Sequence, residues 1–241
     1  MMIRQATLAT PASFSTTKRT GWFYAGMALV ALTIVFAGFG TRFYSRPLDL
    51  PPLPPRVVAH ATLFSTWVLL FVAQTLLVAT GHLSTHRRLG IATIAVAAAM
   101  VLSAPPLAIG LARRGEPRGA DPLVFFLIIV LDLVMFGAFV AAAIYYRRRR
   151  EVHKRLMLLA MIILLPASIS RWPIAVKNPA PVVSGVLLAL LVAMIAHDLL
   201  VRRRPHPVSV WGSVIILVSL PVRFLVAQTA AWHHFAAWLI R

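Results

Sequence analysis

Seven long apolar stretches alternate with short polar connectors along the 241 residues of the chain. Each stretch is roughly twenty residues long, the length of α-helix that crosses the hydrocarbon core of a bilayer. The pattern therefore predicts an all-α fold, a bundle of seven transmembrane helices. The predicted spans are residues 21–40, 57–80, 89–111, 123–146, 156–174, 182–201 and 208–228.

The ends of the chain have a different character from the spans. Residues 1–20 are rich in Ser and Thr, and they are expected to form a flexible N-terminal tail ahead of a single transmembrane domain, residues 21–241. After the seventh span, Trp232, His233 and Trp238 are expected to form a cap at the membrane interface, where such rings settle. Asp121-Pro122 predicts the start of the fourth helix, as an N-cap followed by proline.

Composition excludes several classes of protein. Hydrophobic residues make up 60% of the chain and charged residues 12%, whereas about a quarter of a soluble domain is charged. The absence of cysteine excludes disulfides, thiolate catalysis and Cys-ligated zinc or iron–sulfur centres. A net charge of +18 suits nucleic-acid binding in a soluble protein. Here the basic residues lie at span ends, so anionic lipids at the cytoplasmic face are the expected partner, and no nucleic acid is expected.

The distribution of basic residues predicts an orientation. The N-terminal tail and the second, fourth and sixth connectors carry 14 Lys and Arg residues, and the opposite side carries 9. Cytoplasmic connectors are the more basic ones in membrane proteins. The N-terminus is therefore predicted in the cytoplasm and the C-terminus outside.

Three of the basic connectors resemble one another. They contain His86-Arg87-Arg88-Leu89, His153-Lys154-Arg155-Leu156, and Arg204-Pro205-His206-Pro207. Each places a histidine beside basic residues at the start of a helix that leaves the cytoplasmic side. The chain thus has the form of one leading helix followed by three helical hairpins, a weak internal repeat of a kind seen in many membrane folds.

Several strings carry a resemblance to a known group of proteins. They are His86-Arg87-Arg88-Leu89-Gly90, His153-Lys154-Arg155-Leu156-Met157, Arg171-Trp172-Pro173, and His206-Pro207 with Trp211-Gly212. From about residue 60 onward the chain resembles a family of uncharacterised bacterial multi-spanning membrane proteins. The resemblance implies a helical bundle in the bacterial inner membrane, and it implies no established activity.

Ionisable residues inside spans are costly and mark functional sites by default. At about 1.5 Å of rise per residue, Asp132 lies about 13 Å from the outer end of its helix, Arg171 and Arg223 about 7 Å, and His60 about 5 Å. These four residues are therefore expected at one level of the outer half of the bilayer. Two interpretations are open. Asp132 pairs with Arg171 or Arg223 and stabilises the bundle, or the surplus positive charge serves an anionic or polar ligand in an outward-facing pocket.

A second polar cluster is expected near the inner face. Imidazoles and a carboxylate suit a metal ion such as zinc or non-haem iron, and two histidines on facing helices suit haem b. His82 and His197 are the best pair for a haem. The candidate ligands are His82, His86, His153, His197, Asp198 and His206.

Three functions of different classes follow from these patterns. The first is binding or transport of a polar or anionic small molecule at the outer site. The second is redox chemistry at a haem or metal bound by the inner histidines. The third is a structural or accessory role in a homo-oligomer or larger membrane complex. An enzymatic activity is not indicated by any motif.

Overall fold

A computed structural model describes residues 12–115 and 121–241, and the side chains of all of these except 12–19 and 42. The described residues form nine α-helices and no strand. The helices are α1 (Ala12–Phe39), α2 (Pro55–Ala79), α3 (Leu83–Arg113), α4 (Pro122–Tyr145), α5 (Arg150–Ile162), α6 (Pro166–Ile169), α7 (Pro179–Arg202), α8 (Pro207–Ala227) and α9 (Ala230–Leu239). A short π-helical turn, Gly40–Tyr44, follows α1.

Seven segments are long and apolar enough to cross a membrane, with α5 and α6 together forming the fifth. The predicted all-α bundle with seven spans is confirmed, and the chain is a multi-pass membrane protein. The α2–α3, α4–α5 and α7–α8 connectors lie on the side where the first span begins, here called the N-terminal face. The opposite side, which carries α9, is the C-terminal face.

Several helix limits differ from those that hydropathy predicts. α3 begins at Leu83 and α5 at Arg150, each six residues earlier than predicted, because both helices continue into their basic connectors. α1 begins at Ala12, inside the predicted tail. The rest of that tail, with Arg4, lies outside the described residues, as does Arg118 of the predicted outer connectors.

The fifth span is the centre of the bundle. In its most apolar window 61% of the residues are buried inside the protein, against 44% or less in the other spans. α5 packs against α1, α4 and α8. The span is interrupted before Pro166, which cannot donate to the carbonyl of Ile162. The predicted single helix over 156–174 is therefore two helices that end at Ile169.

Two glycines allow helices to approach closely. A Cβ at Gly38 of α1 would lie 2.3 Å from the backbone oxygen of Ser168, and one at Gly212 of α8 would lie 2.2 Å from Leu159 Cδ1. Small residues at such crossings let helix backbones pack tightly in membranes. These contacts fix α1 and α8 against the fifth span.

Helix α9 folds back over the C-terminal face. Trp232 is 8% exposed, lies against Phe126, and donates from Nε1 to the carbonyl of Leu123 at 3.0 Å. Arg113 Nε donates to the carbonyl of Ile240 at 2.7 Å. Trp232 is thus part of a small second core and Trp238 is exposed, and the cap at the membrane interface stays a prediction. The predicted N-cap of α4 is confirmed, since Asp121 accepts from Leu123 N at 2.8 Å.

Candidate functional site

Asp132 and Arg223 form an ion pair between α4 and α8. Arg223 Nη1 donates to Asp132 Oδ1 at 2.7 Å, and Arg223 is 2% exposed. Its other donors reach Ser219 on its own helix: Nε donates to the carbonyl at 3.1 Å, and Nη2 donates to the hydroxyl at 2.9 Å. The guanidinium therefore has protein partners on each of its three nitrogens, and its charge is balanced by Asp132.

The other two residues of the predicted outer site lie in different surroundings. His60 Nδ1 is hydrogen-bonded to Ser103 Oγ of α3 at 3.1 Å. The guanidinium of Arg171 lies 4.7 Å from the ring centre of Phe39 on α1, and it donates to the carbonyl of Ala167. Of the four predicted residues, the structure brings Asp132 and Arg223 into contact and places His60 and Arg171 against other helices.

A cavity of about 270 Å³ opens between α2 and α3 at the C-terminal face. Arg56 and Arg114 are its charged residues. Pro54, Pro55, Val57, Pro106, Leu107 and Gly110 complete its lining. His60 lies one helical turn after Arg56, and its partner Ser103 lies one turn before Pro106, so this hydrogen bond lies deeper in the bilayer along the same helix faces.

A larger cavity of about 690 Å³ lies between α1 and the segment after α6. Its lining is apolar apart from Thr33 and includes Leu29, Ile34, Trp172 and Ile174. Such a lining suits hydrocarbon and supplies little that would orient a polar ligand.

A buried network of charges near the N-terminal face links three helices. Arg155 of α5 and Asp198 of α7 are both completely buried, and Arg155 donates to both carboxylate oxygens of Asp198. Ser209 of α8 donates to Asp198 Oδ2 at 2.5 Å. Two-point contact between guanidinium and carboxylate gives a strong and directional pair. It fixes the relative positions of α5, α7 and α8.

Glu151 extends this network towards the surface. Its carboxylate accepts from Lys154 at 2.6 Å, from Arg155 at 2.7 Å and from Arg202 at 2.9 Å. One acidic residue thus balances part of the charge on three basic ones. Both carboxylates of this network, those of Glu151 and Asp198, therefore form ion pairs with basic side chains.

His206 lies just outside the spans, at the start of α8. Its backbone N–H donates to Asp198 Oδ2 at 3.2 Å, and its Nδ1 accepts from Val208 N at 3.1 Å. Burial lowers the pKa of His206 below its usual value, and the positive charges of Arg155 and Arg202 act in the same direction. The ring is therefore neutral at pH 7, as an Nδ1 that accepts a hydrogen bond requires.

His197 lies between α1 and α7 next to the buried network. Its ring stacks on Phe23 with centres 3.9 Å apart, and Tyr24 meets it edge-on at 6.0 Å. Both ring nitrogens of His197 and the Tyr24 hydroxyl are buried without a hydrogen-bond partner. His82, by contrast, is exposed and hydrogen-bonded through Nδ1 to Thr80 Oγ1 at 2.9 Å.

His86 and His153 come together from the two closely matching connectors. Their ring centres are 6.5 Å apart, with the rings nearly perpendicular. His153 Nδ1 is hydrogen-bonded to the carbonyl of Ala143 at 2.8 Å. The amide of Gln74, oriented so that its nitrogen faces His86, donates to His86 Nδ1 at 2.5 Å and accepts from Gly90 N at 3.0 Å.

The predicted inner metal cluster divides into these separate environments. Within residues 12–115 and 121–241, no three His, Asp or Glu side chains are grouped so that they could hold a metal ion. Asp198, a predicted ligand, uses its carboxylate to bind Arg155 and Ser209. A haem between His82 and His197 remains a prediction.

Sequence reasoning missed the importance of Arg155, because the predicted span began one residue later and left it in a connector. Two signals pointed to it. Glu151 precedes it by four residues, the spacing of helical ion pairs. Asp198 lies within a predicted span and requires a partner.

The fold and contacts define a polytopic helical membrane protein in which ion pairs such as Asp132–Arg223 and Arg155–Asp198 link different transmembrane helices. No family model matches the chain, and no curated protein or solved structure is significantly similar to it.

Proposed function

We propose that the protein binds a small anionic molecule in the cavity between α2 and α3, on the outer side of a bacterial inner membrane. The cavity lined by Arg56 and Arg114 is the observation that supports this function. Both residues carry permanent charge and can form bidentate hydrogen bonds to carboxylate or phosphate. The cavity volume of about 270 Å³ is smaller than that of pockets for drug-sized ligands, which begin at roughly 300 Å³. We therefore expect the ligand to be a small solute.

The polar groups beneath the cavity offer a route further into the bilayer. Pro105 and Pro106 lie inside α3, and they remove the helical hydrogen bonds to the carbonyls of Val101 and Leu102. Such free carbonyls in a membrane are tolerated where they are buried in protein or line a wet cavity. In our proposal these carbonyls and the His60–Ser103 pair would be the polar groups that a transported solute meets below the cavity.

The paired charges favour a second candidate, a structural or accessory subunit. Asp132 and Arg223 are matched to each other, so they supply stability rather than a surplus charge for a ligand. In our proposal the ligand lies in the cavity between α2 and α3, away from this ion pair. The two candidates differ in whether the purified protein binds a small anion.

Calorimetric titration of the detergent-solubilised protein with inorganic phosphate and with malonate tests the proposal. We expect at least one of them to bind, and Arg56→Gln and Arg114→Gln each to weaken binding about tenfold, the loss typical of one charged hydrogen bond. Arg88→Gln is the control, because it removes the same charge from an exposed position at the opposite, N-terminal end of α3. If neither anion binds, or if all three variants bind like the wild type, the accessory role is favoured instead.

A further inference from the structure

The two closely matching basic connectors meet in space. His86 lies in the first turn of α3 and His153 in the first turn of α5, and both side chains are partly exposed at the N-terminal face. Their rings approach to 6.5 Å between centres. The two similar connectors thus place two imidazole rings side by side at one face of the bundle.

Hydrogen bonds determine where each ring carries its proton. Gln74 donates to His86 Nδ1, so neutral His86 carries its proton on Nε2 and can donate outward. His153 Nδ1 donates to the carbonyl of Ala143, so neutral His153 has an accepting Nε2. The pair thus offers one donor and one acceptor, and His153 becomes a second donor when it is protonated.

The surrounding charge selects an anion over a metal cation. Arg87, Arg88 and the run 147–150 flank the two histidines in sequence, and all six arginine side chains are exposed. The acidic residues in or beside the connectors of this face are Glu151 and Asp198, and both are bound to basic partners. A divalent cation would be repelled by this surplus positive charge, whereas an anion would be attracted.

We propose that His86 and His153 form a binding site for a phosphomonoester group, presented by a lipid headgroup or by a free phosphate. A phosphomonoester has a second pKa near 6, so one proton can be shared between its oxygen and His153 Nε2 while another oxygen accepts from His86. A phosphodiester lacks this second proton, so with neutral His153 it matches only the donor, and it can bind both rings only after His153 takes up a proton from solvent. The site therefore distinguishes a phosphomonoester from the commoner diester lipids. It lies on the opposite face from the cavity between α2 and α3 and does not depend on it.

Native mass spectrometry of the full-length protein in detergent tests this site. The probes are short-chain phosphatidic acid, a monoester, and short-chain phosphatidylglycerol, a diester. We expect phosphatidic acid to bind about tenfold more tightly, as one additional charged hydrogen bond provides. His86→Asn and His153→Asn should remove this preference, because asparagine keeps a polar group near the Nδ1 position and lacks Nε2. His82→Asn is the control, since it alters an exposed histidine in the same basic region.

Competition with inorganic phosphate separates the two sources. Displacement of phosphatidic acid by phosphate shows that the phosphate group alone is recognised. If phosphatidic acid stays bound in excess phosphate, the lipid part of the molecule is also required. Equal binding of both lipids, or an equal effect of all three variants, would overturn the proposal and leave a non-specific basic surface. If one asparagine variant unfolds, glutamine is substituted at the same position, because its longer side chain places an amide near the Nε2 position. We expect this glutamine variant to fold and to retain part of the preference for phosphatidic acid.

Discussion

Two aspartates within the spans, Asp132 and Asp198, each face an arginine on a neighbouring helix. In a bilayer, transfer of an isolated charge is costly, and pairing with hydrogen bonds offsets much of that cost. Removing one partner leaves the other charge buried alone. These pairs are therefore best tested by single and double substitution.

Asp132→Asn is expected to lower the stability of the protein in detergent by about 3–5 kcal/mol, because Arg223 then lacks its counter-charge. Arg223→Gln in the Asp132→Asn background should restore part of this loss. Arg171→Gln in the same background is the control and should restore none, since Arg171 lies against Phe39 and Ala167. Thermal unfolding of the wild type and of these three variants measures the effect. Equal recovery with Arg171→Gln would show that the pair is not specific.

Residue depth explains which of these pairs the sequence could predict. Asp132 and Arg223 lie well inside predicted spans, so an approximate helix limit already places both in the membrane. Arg155 lies one residue outside a predicted span that begins six residues late, so the same argument leaves it in water. Contacts such as Gln74 with His86 depend on the angle between helices, which residue spacing along one helix does not determine.

At the level of helices, the crossing of α1 and α6 depends on the absence of a side chain. Gly38→Ala would bring its Cβ to 2.3 Å from the backbone oxygen of Ser168, and backbone cannot move aside as a flexible side chain can. We expect a loss of about 1–3 kcal/mol, as for other overpacked cores.

Gly26→Ala on the same helix is the matched control, because nothing lies within 4 Å of the added Cβ. This change should be neutral or stabilising by up to about 1 kcal/mol, owing to the higher helix propensity of alanine. Thermal unfolding in one detergent compares the two variants directly. A similar effect of both substitutions would mean that α1 and α6 do not approach closely.

The interruption of the fifth span shows where prediction of helices from sequence ends. Hydropathy is continuous over 156–174, and proline also lies inside α3 and α8, which continue through Pro105, Pro106 and Pro221. A proline therefore does not by itself determine whether a helix ends. Around Pro166, the following turn packs closely on Gly38, and this tertiary contact holds the break in place.

On the scale of the whole molecule, the proposed sites lie at opposite faces. The cavity with Arg56 and Arg114 opens at the C-terminal face, and the His86–His153 pair lies at the N-terminal face. Their biological access therefore depends on the orientation of the bundle. The excess of basic residues, 14 against 9, predicts that the N-terminal face is cytoplasmic.

The absence of cysteine makes this orientation directly measurable, because each introduced cysteine is the only thiol in the chain. Ser84→Cys lies at the N-terminal face and Asp49→Cys at the C-terminal face, and both positions are exposed. With a membrane-impermeant maleimide, intact cells should label Asp49→Cys, and Ser84→Cys should be labelled only after permeabilisation. The reverse pattern would place the anion cavity towards the cytoplasm and the histidine pair outside. In that orientation the His86–His153 pair would face the phosphate groups of the outer leaflet. The labelling result therefore determines which leaflet must supply a phosphomonoester lipid.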